Sequence, residues 1–230
     1  MNLLAIDCAT SACSAALWLD GESGPARRAI MQRGHAEKLM PMVAEIMAEA
    51  ALDFTDLQAI AVTTGPGAFT GIRIGLSAAR GFALAAGLPV IGVTTLEAVA
   101  AAQDRRDNML LVALDSKRDD IYVQLFGTDG VAQGEPRSLP PAGMDAILPA
   151  GQSVALVGDM ADVVMRAQTH RDPPLLRLAG PDLPDATVIA EIAARRFARQ
   201  PPAPDAPPPA PLYLRPPDAI PLAERKAAAK

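Results

Sequence analysis

The stretch LLAIDCATSACSAALWLDG (residues 3–21) comes back in altered form as LLVALDSKRDDIYVQLFGTDG (residues 110–130). Each copy is an apolar run ending in aspartate, a short turn of small or polar residues, a returning apolar run and a closing Asp-Gly. That pattern describes a β-hairpin made twice, with Asp7 matched to Asp115. Strand-like and helix-like runs alternate around both copies, so each half reads as an α/β unit whose sheet has parallel members.

In the first half, a third strand is expected within 25–32, followed by a helix over GHAEKLMPMVAEIMAEAAL (34–52). Pro41 is acceptable there only near the first turn. LQAIAVT (57–63) reads as a strand, TTGPGAFTGIRIGLSAARGFALAAG (63–87) as a turn and helix, LPVIGV (88–93) as a strand and TLEAVAAAQ (95–103) as a short helix. After the second hairpin come a helix near 142–149, a strand SVALVG (153–158), a helix from 160 and a last helix DATVIAEIAARRFARQ (185–200) that completes the lobe. The expected organisation is an N-terminal lobe over 1–102 and a C-terminal lobe over 103–200. Beyond them lies a Pro-rich extended segment and flexible tail over 201–230.

At 230 residues and 50% apolar composition the chain can bury a sizeable core. Gly81 to Val93 is broken by Gly and Pro and falls short of the roughly 20 residues a bilayer span needs, so no membrane helix is expected. The first residues lack a basic leader. Cys8 and Cys13, the only cysteines, exclude a disulfide framework and favour a cytosolic setting. A net charge of -5 argues against an autonomous nucleic-acid binder, so any RNA link would be indirect. Few aromatics and abundant Ala predict helices packed closely on small side chains.

A strand ending in aspartate before a tight hairpin is the arrangement by which actin-like, Hsp70-like and sugar-kinase ATPases hold Mg-phosphate, with glycine letting the backbone approach. Here the first turn has Ala9 where glycine is preferred, and the second places Asp119 and Asp120 where phosphates would lie. Gly158, at the position of an adenosine-side loop, is followed by Asp159 rather than a second glycine. An ATPase or kinase remains the competing enzyme reading. Gly65, Gly67 and Gly71 spell GxGxxxG, one residue off the dinucleotide pattern, without a prompt ribose-binding acid or a P-loop Lys-Ser/Thr. His35 and His170 fall in separate halves with no paired ligand spacing. Cys8 and Cys13 flank a hairpin turn as small hydrophobes, and no nucleophile elbow is visible. No catalytic, cofactor or metal set is assigned.

On a helical wheel, Glu37, Lys38, Glu45 and Glu49 confine the charge of residues 37–52 to a sector of roughly 120°. Leu39, Val43, Ile46 and Ala50 would cover the sheet, leaving Met40, Ala44, Met47 and Ala51 as a neighbouring stripe for a partner; a helix wedged within its own chain fits the periodicity as well. In the next helix Gly71, Gly75, Ala79 and Ala83 recur every fourth residue as a small-residue ridge on which another helix could rest. Leu76 belongs to the same expected surface, with Arg73 and Arg80 on a separate face.

GHAEKLMPMVAEIM (34–47), AIAVTTGPGAFTGIRIGLSAARGFALAAGLPVIGVTTLEAV (59–99) and PLYLR (211–215) closely resemble the TsaB family, also called YeaZ. The resemblance is dense over residues 3–100 and thins in the second half. It implies an actin/Hsp70-like (ASKHA) fold of duplicated ribonuclease-H-like lobes, the second reduced. It also implies paralogy to TsaD, which transfers a threonylcarbamoyl group to the adenosine beside the tRNA anticodon. That relative's HxxxH metal site falls on Thr95 and Val99 here, neither of which replaces histidine. By resemblance, the chain is a non-catalytic scaffold that pairs with TsaD through its two N-lobe helices, helps recruit the ATPase TsaE, forms a homodimer through the same surface and meets tRNA only through the complex. A metallopeptidase reading, tied to the older name glycoprotease, depends on the missing metal motif.

Overall fold

The computed structural model describes residues 1–103, 107–203 and 206–215. Leu3–Asp7 (β1) and Ala12–Leu19 (β2) form the expected hairpin, with Asp7 opposite Ser14. Asp20 and Gly21 both take positive φ, 51° and 101°, as a two-residue turn requires, and lead into Glu22–Ile30 (β3). The chain continues through His35–Glu49 (α1), Ala59–Thr63 (β4), Phe69–Ala86 (α2), Val90–Val93 (β5) and Thr95–Ala101 (α3). With β4 parallel to β1 and β5 parallel to β4, the sheet order is β3-β2-β1-β4-β5.

The second half repeats it. Met109–Asp115 (β6) and Ile121–Phe126 (β7) pair antiparallel, Arg137–Leu139 (β8) joins β7, and Val154–Val157 (β9) runs parallel to β6. Ala161–Ala167 (α4), Leu176–Arg177 (β10) and Ala186–Arg199 (α5) follow, giving the order β10-β9-β6-β7-β8. Strand for strand this is the first sheet again, so the duplicated actin/Hsp70-like fold stands. The reduction is visible in a three-residue β8 and a two-residue β10.

Alternation along the strands feeds two layers. Leu4, Ile6, Cys8, Cys13, Ala15 and Leu17 face α1 and α2, whereas Leu3, Ala5 and Ala16 face α5. The last helix, expected to complete the second lobe, therefore lies on the first sheet. Reciprocally, Leu96 and Val99 of α3 pack on Leu110, Val112 and Leu114 of the second sheet. Ala186, Ala190 and Ala193 of α5 meet Ala5, Ala16, Ala59 and Ala61, the close packing on small side chains that the alanine content predicts. Arg196 of α5 ties back to Glu97 of α3 at 2.6 Å.

Other departures have local causes. The helix expected near 142–149 is a 3-10 turn, Pro141–Ala146, opened by Pro141 at its first position. Strands β8 and β10 are too short to show an alternation. Pro41 lies beyond the first turn of α1, yet the helix runs on through it. Pro41 and Glu37, whose carbonyl loses its donor, are both exposed, so water can take the bond. The tail from 216 onward lies outside the described residues. Among the described residues no helix is long and apolar enough to cross a membrane.

Candidate functional site

The glycines between β4 and α2 bring backbone against backbone. A Cβ placed on Gly67 would fall inside the carbonyl of Ala9, and one on Gly71 inside that of Cys8. The Ala68 N–H donates to the Ala9 carbonyl at 2.7 Å. The start of α2 thus rests on the β1–β2 turn. Further along, Gly75 faces Val62 and Cys8, while Ala79 and Ala83 are buried. The small-residue ridge expected to receive a partner helix is spent on the chain's own sheet, and Leu76 is buried with it. The ridge is a correct reading of close approach with the wrong neighbour, because a four-residue repeat does not say which surface it meets.

The outward faces are what remains. In α1, Leu39, Met42, Val43, Ile46 and Met47 form the buried stripe. Met47, four residues after Val43, turns inward rather than toward a partner. Met40 is 51% exposed, Ala44 one turn on is exposed too, and so is Ala51 just past the end of α1. On α2 the exposed apolar groups are Phe69 and Leu84, the latter 86% exposed; neither stands out in the helical pattern. Arg27 of β3 holds α1 in place, donating to Glu45 at 3.1 Å and Glu49 at 2.6 Å.

Arg73 and Arg80 are exposed, as expected, but already engaged by the Pro-rich segment. Arg73 donates to the Tyr213 hydroxyl at 3.0 Å and lies over the Phe69 ring at 3.8 Å, and Phe69 and Tyr213 have ring centroids 5.1 Å apart. Arg80 donates to the Pro209 carbonyl at 2.8 Å, and the Leu212 N–H to the Thr64 carbonyl at 2.8 Å. Residues 206–215 therefore form a strap along α2.

The two aspartates of the repeat have different surroundings. Asp7 is fully buried and accepts from the Thr63 hydroxyl at 2.6 Å and the Ala9 N–H at 3.0 Å. Burial pushes its carboxyl up to about 6 against the lowering effect of those bonds. Asp115 accepts from the backbone N–H and the ammonium of Lys117, each at 2.6 Å. Gly158, at φ 115°, packs on Ala113 and gives its N–H to Asp182 at 2.9 Å, so that donor is already paired with a carboxylate.

Thr95 and Val99 sit one turn apart on α3, both fully buried. Among the described residues no cluster of three or more His, Cys, Asp or Glu could hold a metal. His35 contacts the Thr10 carbonyl at 3.0 Å and His170 lies 3.3 Å from Asp145. A cleft of about 990 Å³ opens between residues 32–35, the start of α2, the turn 116–118 and the strap. Of its cations, Lys117 is paired with Asp115, Arg215 with Asp120, and Arg73 with Tyr213. Neither Asp7 nor the turn after it lines the cleft.

The family model described as "TsaD: tRNA N6-adenosine threonylcarbamoyltransferase" matches residues 29–135. The tRNA threonylcarbamoyladenosine biosynthesis protein TsaB of Escherichia coli is 41% identical over 59% of this chain, and that of Haemophilus influenzae 37% over 53%. The matches span 60% and 52% of those relatives' own lengths. The solved structure of YeaZ from Pseudomonas aeruginosa superposes with a TM-score of 0.75 at 30% identity, covering 86% of this chain and 93% of that one. The chain belongs to the TsaB/YeaZ family. In this TsaB/YeaZ chain positions 95 and 99 hold buried threonine and valine, and α2 rests on the first hairpin turn.

Proposed function

We propose that this chain is a non-catalytic subunit in the biosynthesis of N6-threonylcarbamoyladenosine in tRNA, docking on the transferase TsaD through the outer faces of α1 and α2. The observation that carries the reading is the contrast within one lobe. The Asp7 hairpin is sealed beneath α2, while Met40 and Ala44 on α1 and Leu84 on α2 stand exposed. Exposed apolar groups gathered on adjoining elements mark interaction surfaces.

Of the surface first expected from the sequence, Met40, Ala44, Ala51, Arg73 and Arg80 stay in the proposal. Met47, Gly71, Gly75, Leu76, Ala79 and Ala83 act beneath it as support. A second copy of the chain can compete for the same faces, and TsaE would join the assembled pair; tRNA is met through TsaD, in the cytoplasm. Binding of TsaD to the purified chain, together with no threonylcarbamoyl transfer to tRNA by the chain alone, is the expected result. Transfer by the isolated chain would overturn the non-catalytic reading. The ATPase reading predicts turnover lost on Asp7→Asn, which the burial of Asp7 away from the cleft argues against.

A further inference from the structure

Cys8 and Cys13 stand opposite each other at the closed end of the first hairpin. Asp7 and Ser14 are the last paired positions of β1 and β2, so the next pair is Cys8 and Cys13, and their sulfurs are 3.7 Å apart. Opposed residues of antiparallel strands have Cα atoms about 4.5–5.5 Å apart, inside the roughly 4.4–6.8 Å that a disulfide spans. Both are free, buried thiols. They point to the side of the sheet that carries α1 and α2. The Cys13 sulfur lies 3.9 Å from the His35 carbonyl in the first turn of α1, and Cys8 lies directly under Gly71 of α2. The proposed function uses neither sulfur.

We propose that Cys8 and Cys13 are a reversible oxidation site, closed to an intramolecular disulfide by a hydroperoxide, and that closure is transmitted to α1 and α2. The two thiols lie within hydrogen-bond reach and either can donate; the neighbouring Cys8 and then the Lys38 ammonium lower Cys13, against burial and Asp7. The same hydrogen bond, with burial, pushes Cys8 up. Either sulfur can attack first, and the sequence from Cys13 is representative. Its thiolate attacks a peroxide oxygen and the O–O bond breaks, leaving a sulfenic acid and an alkoxide or hydroxide that takes a proton. The Cys8 sulfur then attacks the Cys13 sulfur. The S–S bond forms, the S–O bond breaks, and hydroxide leaves with the Cys8 proton as water. Two thiols and one hydroperoxide give one disulfide, one water and one alcohol, or two waters from hydrogen peroxide. Two electrons pass from sulfur to the peroxide oxygens.

Buried thiols meet the oxidant when the turn between them opens, so the rate follows that local opening. A dithiol of this kind in a reducing compartment is a sensor rather than a staple. Closing the sulfurs from 3.7 Å to the bonding distance of about 2 Å moves the hairpin end. Because the Cys8 carbonyl is wedged under Gly71, the movement passes into the helices. That second clause bears on the proposed function only if α1 and α2 form the docking face; the bond itself does not depend on it.

The test treats the full chain with hydrogen peroxide, quenches with an alkylating agent and digests with trypsin without reductant. Met1–Arg27 contains both cysteines and no internal Lys or Arg. The expected product is that peptide lighter by two hydrogens and unalkylated, restored to two alkylated thiols by prior dithiothreitol. Amide exchange over residues 35–39 and 69–76 of the oxidised chain should change by about threefold or more. Retention of both thiols, uptake of oxygen without the loss of two hydrogens, or linkage between two copies of the peptide overturns the oxidation site. A closed disulfide with unchanged exchange in both helices overturns the transmission. Failure of the reduced chain to bind TsaD would count against the proposed function and leave the oxidation result standing.

Discussion

The Thr63 hydroxyl donates to Asp7 Oδ1 at 2.6 Å, joining the ends of β4 and β1 beneath α2, while Asp7 Oδ2 has no hydrogen-bond partner among the described residues. With the carboxyl pushed up to about 6 by burial, the folded chain binds a proton more tightly than the unfolded chain, whose carboxyl titrates near 3.8. Between these values the folded state carries more protons, so stability falls as pH rises from about 4 to about 6 and is flat above. The two-unit difference corresponds to about 3 kcal/mol of destabilisation at neutral pH. Asp7→Asn keeps an acceptor for Thr63 and Ala9 and removes the buried charge. Urea unfolding at pH 4.5 and pH 7 should show the variant more stable than the native chain at pH 7, by about 1–3 kcal/mol, and less pH-dependent. Some slope should survive, because burial also pushes Asp159 up to about 6. A variant less stable at pH 7 would contradict this.

The glycines of α2 should respond in a graded order. Gly71→Ala forces a Cβ into the Cys8 carbonyl and should cost about 2–4 kcal/mol. Gly75→Ala meets Val62 Cγ2 at 3.4 Å, an ordinary contact, and should cost about 1 kcal/mol or less. Gly81 has nothing within 4 Å, so Gly81→Ala should stabilise by about 0.5–1 kcal/mol through helix propensity. Chemical denaturation of the three variants checks the order. A larger substitution at Gly75, such as leucine, would break the core against Val62 and Cys8 rather than report on a partner.

The strap depends on Tyr213. Tyr213→Ala removes the ring set against Phe69 and the acceptor of Arg73. The expected cost is about 1–3 kcal/mol, with faster exchange of the Leu212 amide bonded to Thr64. An unchanged Leu212 exchange rate would mean that the strap is held by other contacts.

The duplicated hairpins were legible because each copy carries its own apolar run ending in aspartate, short turn and returning apolar run. The inner stripe of α1 at Leu39, Val43 and Ile46 followed from helical spacing. Other features depend on distant partners. Arg73 meets Tyr213 140 residues away, and Ala186 finds Ser14 172 residues away, so no local window shows either contact. The placement of α5 on the first sheet is lost for the same reason. The Gly71 ridge announced close packing, but identifying its neighbour required the Cys8–Ala9 turn, whose small residues are the signal that sequence reading passed over. The opposed sulfurs of Cys8 and Cys13 were within reach of hairpin register, which places them directly after Asp7 and Ser14.

The measurement that bears most directly on the central claim is calorimetric titration of TsaD with the native chain and with Ala44→Arg. Ala44 is exposed in mid-helix, so the variant should keep its stability within about 0.5 kcal/mol, confirmed by its melting curve. Placing a bulky cation on the exposed face of α1 should weaken binding at least about tenfold. Native affinity in a fully folded Ala44→Arg chain would contradict the docking face proposed for these helices.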